Sequence, residues 1–392
     1  MKELVFPAIT IEADNIHADH SGKPDLRIFN ADDIRVKING FSVTTGNKLY
    51  KIAIGEAGIS TKKSEVYVSS FSLTPLMDRA DFAKKFQYQT DQMTVKLASL
   101  VLSGLKYDSA ILTGKILAQK LTLTNFDLQD YRDQRFPRNT AKRPPLPPDM
   151  IGKIPVPITI DTVKLTRSRA SYSEQVGPRP GSIFFSDLNA VMYPVTNDSL
   201  TMIKGYTLHV KGSALMMGKG KMNAEFAFIV PDKNKTFTFS ADIYDMDLRE
   251  LNPMISELVP VNIISGHLKH LQAHNVYCTD FRSQGTLKFY YNDLKFELKN
   301  KDDKTWTSIK NAVLGWAGNT YVASDNPNSN GKFKEGVILF ERDHAKSIFN
   351  YLWKSIFSGL KSTIGINSKE QKAIKKEKKA AKKEQQKKDK KK

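Results

Sequence analysis

The stretch Ile34-Arg35-Val36-Lys37-Ile38-Asn39-Gly40 sets the reading of the whole chain. Apolar residues fall on every second position, the period of a strand with one face packed and one face in water. The alternation returns at Val66-Val68, Leu121-Leu123 and Val163-Leu165, and in Phe237-Phe239 facing Thr236-Thr238. Asn39-Gly40, Thr45-Gly46, Ser103-Gly104, Thr113-Gly114 and Ser265-Gly266 read as turns between strands, which favours antiparallel meanders over βαβ units. A loose repeat agrees with an array of similar strand pairs: Ala13-Asp14-Asn15-Ile16 resembles Ala31-Asp32-Asp33-Ile34.

Helical signals are few. Thr74-Pro75 suits a capped first turn leading through Ala80, Phe82 and Phe86 toward Asp91, and Asp247-Leu248-Arg249-Glu250-Leu251 suits a short helix. Between Ala141 and Pro157 six prolines fall in 17 residues, too many for a central strand, so the segment reads as an extended crossover and a domain boundary. Ile348, Phe349, Leu352, Trp353, Ile356, Phe357, Leu360 and Ile364 fall within one half of a helical wheel, with Asn350, Lys354, Ser358 and Lys361 on the other. Such a helix either docks on the open end of a sheet or lies in a membrane interface, and its lysines and glycine argue against a span. The expected fold is mainly β: an elongated, curved antiparallel sheet with a few short helices and a C-terminal amphipathic helix. The expected regions are β-rich segments at 1–140 and 158–345, the crossover at 141–157, the amphipathic helix at 346–366 and a disordered lysine-rich tail at 367–392.

The chain of 392 residues carries a formal charge of +19. From Asn367 to Lys392 there are 13 Lys against 3 Glu and 1 Asp, a net of +9, which leaves +10 for everything before. Much of the charge is therefore concentrated in the tail, an extension suited to anionic surfaces, and the +10 spread over the preceding 366 residues is not a nucleic-acid signature of the body. Cys278 is the single cysteine, which excludes an intrachain disulfide and an all-cysteine metal site. Met1 to Pro7 holds no apolar run long enough for a signal peptide, so an upstream targeting segment is expected to be missing from this reading frame.

Candidate chemistry is thin. His267, His270, His274 and Cys278 have helical ligand spacing for zinc, but strand context puts His267 and His270 on opposite faces and disfavours a metal. His17 and His20 flank Asp19 in a polar turn without a nucleophile. Asp127 and Asp130 read as a solvated turn at a strand end, and Phe289-Tyr290-Tyr291 reads as sheet packing rather than base stacking. No catalytic template is matched and no cofactor is expected.

Ser103-Gly104-Leu105-Lys106-Tyr107-Asp108 with Leu121-Thr122-Leu123 resembles the AsmA-like envelope proteins. So does the run from Asp247-Leu248-Arg249-Glu250-Leu251-Asn252-Pro253 through Ile264-Ser265-Gly266 and Gly285-Thr286-Leu287 to Tyr291-Asn292-Asp293-Leu294. That group includes TamB-type members and is similar in architecture to chorein-type bridge-like lipid transporters. The resemblance covers about three quarters of the chain, and the family's N-terminal inner-membrane anchor has no counterpart in it. It implies a curved sheet whose apolar concave side shields acyl chains, and a non-enzymatic role in phospholipid transport or outer-membrane homeostasis. The implied location is the periplasm or cell envelope, associated with the inner membrane. Phospholipid and a membrane surface are the expected partners, reached through Ile348, Phe349, Leu352, Trp353, Lys354, Ile356, Phe357, Leu360 and Lys361, with envelope proteins as further partners. The rival readings are an assembly scaffold and nucleic-acid binding through the tail.

Overall fold

A computed structural model describes residues 8–18, 29–258, 261–298, 323–365 and 367–389. Met1 to Pro7, Asp19, His20, Ile366 and the last three lysines lie outside them, as does the side chain of His17. The strands are β1 (Ile9–Asp14), β2 (His17–Ala18), β3 (Phe29–Asn30), β4 (Asp33–Thr44), β5 (Tyr50–Ser60), β6 (Glu65–Pro75), β7 (Asp91–Ser103) and β8 (Ile116–Asp133). They continue as β9 (Ile158–Gln175), β10 (Pro180–Tyr193), β11 (Val195–Thr196), β12 (Tyr206–Met216), β13 (Gly220–Val230), β14 (Phe237–Asp247), β15 (Val261–Cys278), β16 (Arg282–Leu298) and β17 (Gly336–Glu341). The helices are α1 (Arg79–Lys84), α2 (Tyr107–Thr113), α3 (Pro147–Gly152), α4 (Ser199–Lys204), α5 (Asn252–Leu258), α6 (Ile348–Thr363) and α7 (Lys369–Asp389). A 3-10 turn at Leu248–Leu251, capped by the Asp247 carboxylate, leads into α5.

All long strands belong to one sheet that starts at β1, passes through β4 to β10 and β12 to β16 in chain order, and ends at β17. β11 pairs with β9, and β2 and β3 form a separate two-stranded ladder. The path is unclosed, and the mainly β reading stands. It is not antiparallel throughout. The Phe126 amide donates to Ser168 Oγ at 3.1 Å and Ser171 Oγ donates to the Leu128 carbonyl at 3.2 Å, while the Ile116 amide meets the Pro157 carbonyl at 2.9 Å. β8 and β9 therefore run the same way, which requires a long crossover, and the proline-rich segment supplies it.

The chain divides into two compact units. The first comprises 1–138, 147–174 and 184–214, and the second comprises 139–146, 175–183 and 215–392. Both neighbours of the proline-rich segment, β8 and most of β9, fall in the first.

Within the first unit the registers align apolar residues in rows across β4 to β8. Val36, Ile59, Val66, Leu102 and Leu121 stand side by side, and so do Ile38, Ala57, Val68, Leu100 and Leu123. Two more rows follow through Phe41, Ile54, Phe71, Leu97 and Phe126 and through Val43, Ile52, Leu73, Val95 and Leu128. Even and odd positions share this face because a line of residues without ladder partners, Gly40, Gly55, Ser70, Ala98 and Asn125, crosses the strands, with the register the same on either side of it. Ser70 and Asn125 have φ of 52° and 53°. A Cβ on Gly40 would lie 2.7 Å from the Gly55 carbonyl oxygen, so only glycine fits there. The line interrupts every strand at the same level, and the apolar alternation resumes beyond it in the opposite phase. Asn39-Gly40 thus lies inside β4 on that line, and Ser265-Gly266 lies inside β15 at a register shift, where turns were expected. Thr45-Gly46 is a turn, and Gly114 closes α2 in the left-handed conformation. Thr74-Pro75 ends β6, and the helix expected there begins only at Arg79, where Asp78 accepts the Asp81 amide and provides the cap.

The second unit buries an apolar face of its own. Phe228, Phe237, Cys278, Ser283 and Phe340 form one cross-strand row, and Phe226, Phe239, Val276, Gly285 and Ile338 form another. Phe228, Phe237, Phe239, Val276, Cys278 and Ile338 are buried, each large side chain contributing about 1.5–3 kcal/mol.

Candidate functional site

Among the described residues, each unit carries a partly exposed apolar surface. The first is the set of rows on β4 to β8. Every member is half-buried except Leu97, which is buried. Cross-strand neighbours cover one another's flanks, but the tops of these side chains reach solvent. The opposite face is polar: Lys37 Nζ meets Glu56 at 2.7 Å, and the Tyr67 hydroxyl donates to the same carboxylate at 2.8 Å.

The second surface is α6. It docks through small and polar residues rather than through the apolar half of its wheel. Tyr351, Ser355, Ser358, Gly359, Ser362 and Thr363 are its buried residues. A Cβ on Gly359 would lie 2.9 Å from both Ile338 Cγ1 and Leu287 Cβ, so the helix backbone lies directly on the sheet. The Leu339 amide donates to Ser358 Oγ at 3.1 Å and the Val337 amide to Ser362 Oγ at 2.9 Å, while Ser283 and Ser355 share a hydroxyl hydrogen bond of 2.7 Å. Tyr351 packs edge-on against Phe237 and donates to the Thr279 carbonyl at 3.1 Å.

The apolar residues that the sequence assigns to membrane contact consequently face elsewhere. Phe349 and Phe357 are 42% and 39% exposed, and Ile348, Leu352, Trp353, Ile356 and Leu360 are half-buried. Trp353 stacks on Phe357 at 5.9 Å, and the ammonium groups of Lys354 and Lys361 lie 5.8 and 5.3 Å from the Phe357 ring centroid. Burial, with Lys354 as a like-charged neighbour, pushes the Lys361 ammonium below its ordinary pKa. An aromatic pair edged by lysines combines apolar area with groups that reach phosphate. The tail, expected to be solvated, is helical in α7, and its first turns are tied down. Gln371 Nε2 donates to the Val337 carbonyl at 2.7 Å and Lys375 Nζ to the Ser362 carbonyl at 2.8 Å.

The histidine constellation resolves into separate histidine–aspartate contacts. His270 and His274 each meet Asp242 at 2.8 Å, and His267 meets Asp245 at 3.0 Å. Burial works against ionisation of Asp242, but the bonds from His274 and His270 outweigh it and hold its pKa below the ordinary carboxylate value. Cys278 lies apart from them, its thiol pushed up to about 12 by burial. Register shifts between Leu268 and His270 and between Gln272 and Tyr277 break the strict alternation that the sequence reading assumed. Among the described residues, no three His, Cys, Asp or Glu side chains are placed to hold a metal ion.

Asp127 and Asp130 lie within β8 rather than in a turn, and three-residue spacing on a strand sends them to opposite faces. Phe289 and Tyr291 are buried with ring centroids 4.4 Å apart, whereas Tyr290 stacks on Phe333 at 4.5 Å. No described helix is long and apolar enough to cross a membrane. No protein-family profile matches the sequence, and no curated protein does.

Two features escaped the sequence reading. The rows on β4 to β8 were hidden because the alternation reverses its phase part-way along each strand, although Gly40 and Gly55 mark the reversal. The docking face of α6 was signalled by Ser355, Ser358, Gly359 and Ser362, a small-residue stripe at helical spacing.

Proposed function

We propose that this chain is a non-enzymatic, AsmA-like lipid-handling protein of the cell envelope that shields phospholipid acyl chains on the apolar face of β4 to β8. The half-buried rows running through Val68, Leu100 and Leu123 carry this reading. A face of that kind repays contact with acyl chains at about 0.8 kcal/mol per methylene buried, and it needs no reacting group. The lysine-edged aromatic surface of α6 supports attachment to an anionic membrane, and the lysines of α7 add long-range attraction to it. A periplasmic place beside the inner membrane follows from the same reading.

The test is mass spectrometry of lipid carried by the full chain, washed in high salt so that adsorption to the lysine tail is screened. Stoichiometric phospholipid is expected, and Leu100→Glu with Leu123→Glu should abolish it while circular dichroism stays β-rich. A folded protein carrying no lipid would sink the proposal and favour a scaffold whose sheet packs against another protein.

A further inference from the structure

Three short helices of the first unit gather at one end of its strands. α2 joins β7 to β8, α3 precedes β9, and α4 precedes β12. Their bases are laced together. Asn197, just before α4, donates from Nδ2 to the Ile154 and Val156 carbonyls at 3.0 Å each and accepts the Ile158 amide at 2.6 Å. The Ile116 amide, just after α2, donates to the Pro157 carbonyl, and Lys115 meets Asp198 at 3.7 Å. Tyr107 fastens α2 to the sheet by donating to the Ser60 and Glu65 carbonyls at 2.8 and 2.9 Å.

Each helix repeats one layout: an aspartate at its start, aliphatic residues facing outward, and a lysine at or just beyond its end. The sets are Asp108, Ile111, Leu112 and Lys115; Asp149, Met150, Lys153 and Ile154; and Asp198, Leu200, Ile203 and Lys204. All six aliphatics are exposed, Ile111 and Ile203 at 79% and 80%. Lys106, Lys115, Lys153 and Lys204 are exposed as well. The Asp198 carboxylate is engaged by the Thr201 amide and hydroxyl.

We propose that this three-helix tip inserts its aliphatic residues into the acyl region of an anionic phospholipid bilayer while the lysines meet headgroup phosphates. Protein interfaces draw their energy from tryptophan, tyrosine and arginine and exclude lysine from their centres. The outward-facing residues of this tip are isoleucine, leucine and methionine interspersed with lysine, the composition of an interfacial anchor. The tip adjoins the Leu102 and Leu121 end of the apolar rows, where lipid would enter if the acyl-shielding reading holds. Insertion itself is a separate property, reached by a separate measurement.

The test uses the full chain with Ile203→Cys labelled by an environment-sensitive NBD fluorophore. Cys278 is fully buried and leaves the new thiol as the reactive one. Lys51→Cys at the start of β5 serves as the control, and Phe357→Cys reports α6 independently. With vesicles containing phosphatidylglycerol, whose headgroups give the bilayer a negative surface potential, a severalfold rise in emission is expected at position 203 and none at position 51. Lipid-borne quenchers in the acyl region should suppress the rise. No change at 203 under saturating vesicles would overturn the proposal, and so would an equal rise at 51 or a rise without lipid that tracks protein concentration and marks a second copy as the occupant. A vesicle-dependent rise at 203 in a protein that purifies with no bound phospholipid leaves insertion standing and removes the acyl-shielding reading; bound phospholipid with no vesicle-dependent rise removes insertion alone.

Discussion

Val68, Leu100 and Leu123 on β6, β7 and β8 stand in a cross-strand row and remain half-buried, whereas Phe239, Val276 and Ile338 on β14, β15 and β17 are sealed. The strands of both units alternate in the same way, so patterning does not decide which face closes. What differs is an added layer. The second unit has α6, whose Gly359 and serines let a helix lie against Leu287 and Ile338. Burial on a sheet is therefore conferred by whatever packs on it, and a strand pattern alone specifies only which side is available for packing.

The largest expected effect separates the faces by stability. Leu287→Ala, under α6, should cost about 2–5 kcal/mol, because it removes buried methyl groups and leaves a cavity. Leu100→Ala on the open face should cost about 1 kcal/mol, since its side chain is only half removed from water. Urea unfolding midpoints would read both, and equal losses would mean that the first unit's face is covered after all.

A smaller effect concerns the outward face of α6. Trp353→Asp with Phe357→Asp should change the unfolding midpoint little, since neither belongs to the docked face, yet weaken sedimentation with anionic vesicles at least about tenfold, the loss of about 1.4 kcal/mol or more. Unchanged vesicle binding would remove the membrane role of this helix.

The smallest is electrostatic. The Lys62 backbone amide, then Arg35 and Ser60, outweigh desolvation and hold the Asp33 carboxyl down to about 2. Its unfolded value is about 3.9, so the resulting stabilisation is complete above that pH and disappears as pH falls toward 2. Asp33→Asn should flatten the acid dependence of the first unit in that window. A second-unit probe such as near-ultraviolet circular dichroism of the Phe237 and Tyr351 cluster should not register the change.

Much of the architecture was legible. Alternation at Val36-Ile38, Val66-Val68 and Phe237-Phe239 found strands, and the wheel from Ile348 found α6 nearly to its ends. Asn39-Gly40 misled because the dipeptide that favours a hairpin turn also fits an unpaired position inside a strand, and only the close approach of the partner strand at Gly55 decides between them. The parallel pairing of β8 with β9 depends on contacts 42 residues apart, beyond any local signal. The wheel of α6 identified an apolar face correctly but not its orientation, because close helix–sheet packing rewards small residues as much as large ones. The three helices of the tip were too short to show a period at all.

The hydroxyls of Ser358 and Ser362 and the amide of Gln371 do more than hold α6 and α7 in place. They occupy the Leu339 and Val337 N–H groups and the Val337 carbonyl on the outer side of β17, the last strand of the path. Those groups are the template on which a further strand, from this or another chain, would otherwise grow. The protein therefore carries its own stopper on that edge, written into residues that would pass for surface polar positions. The sheet's extent on that side is fixed by the chain itself rather than by the supply of neighbouring strands.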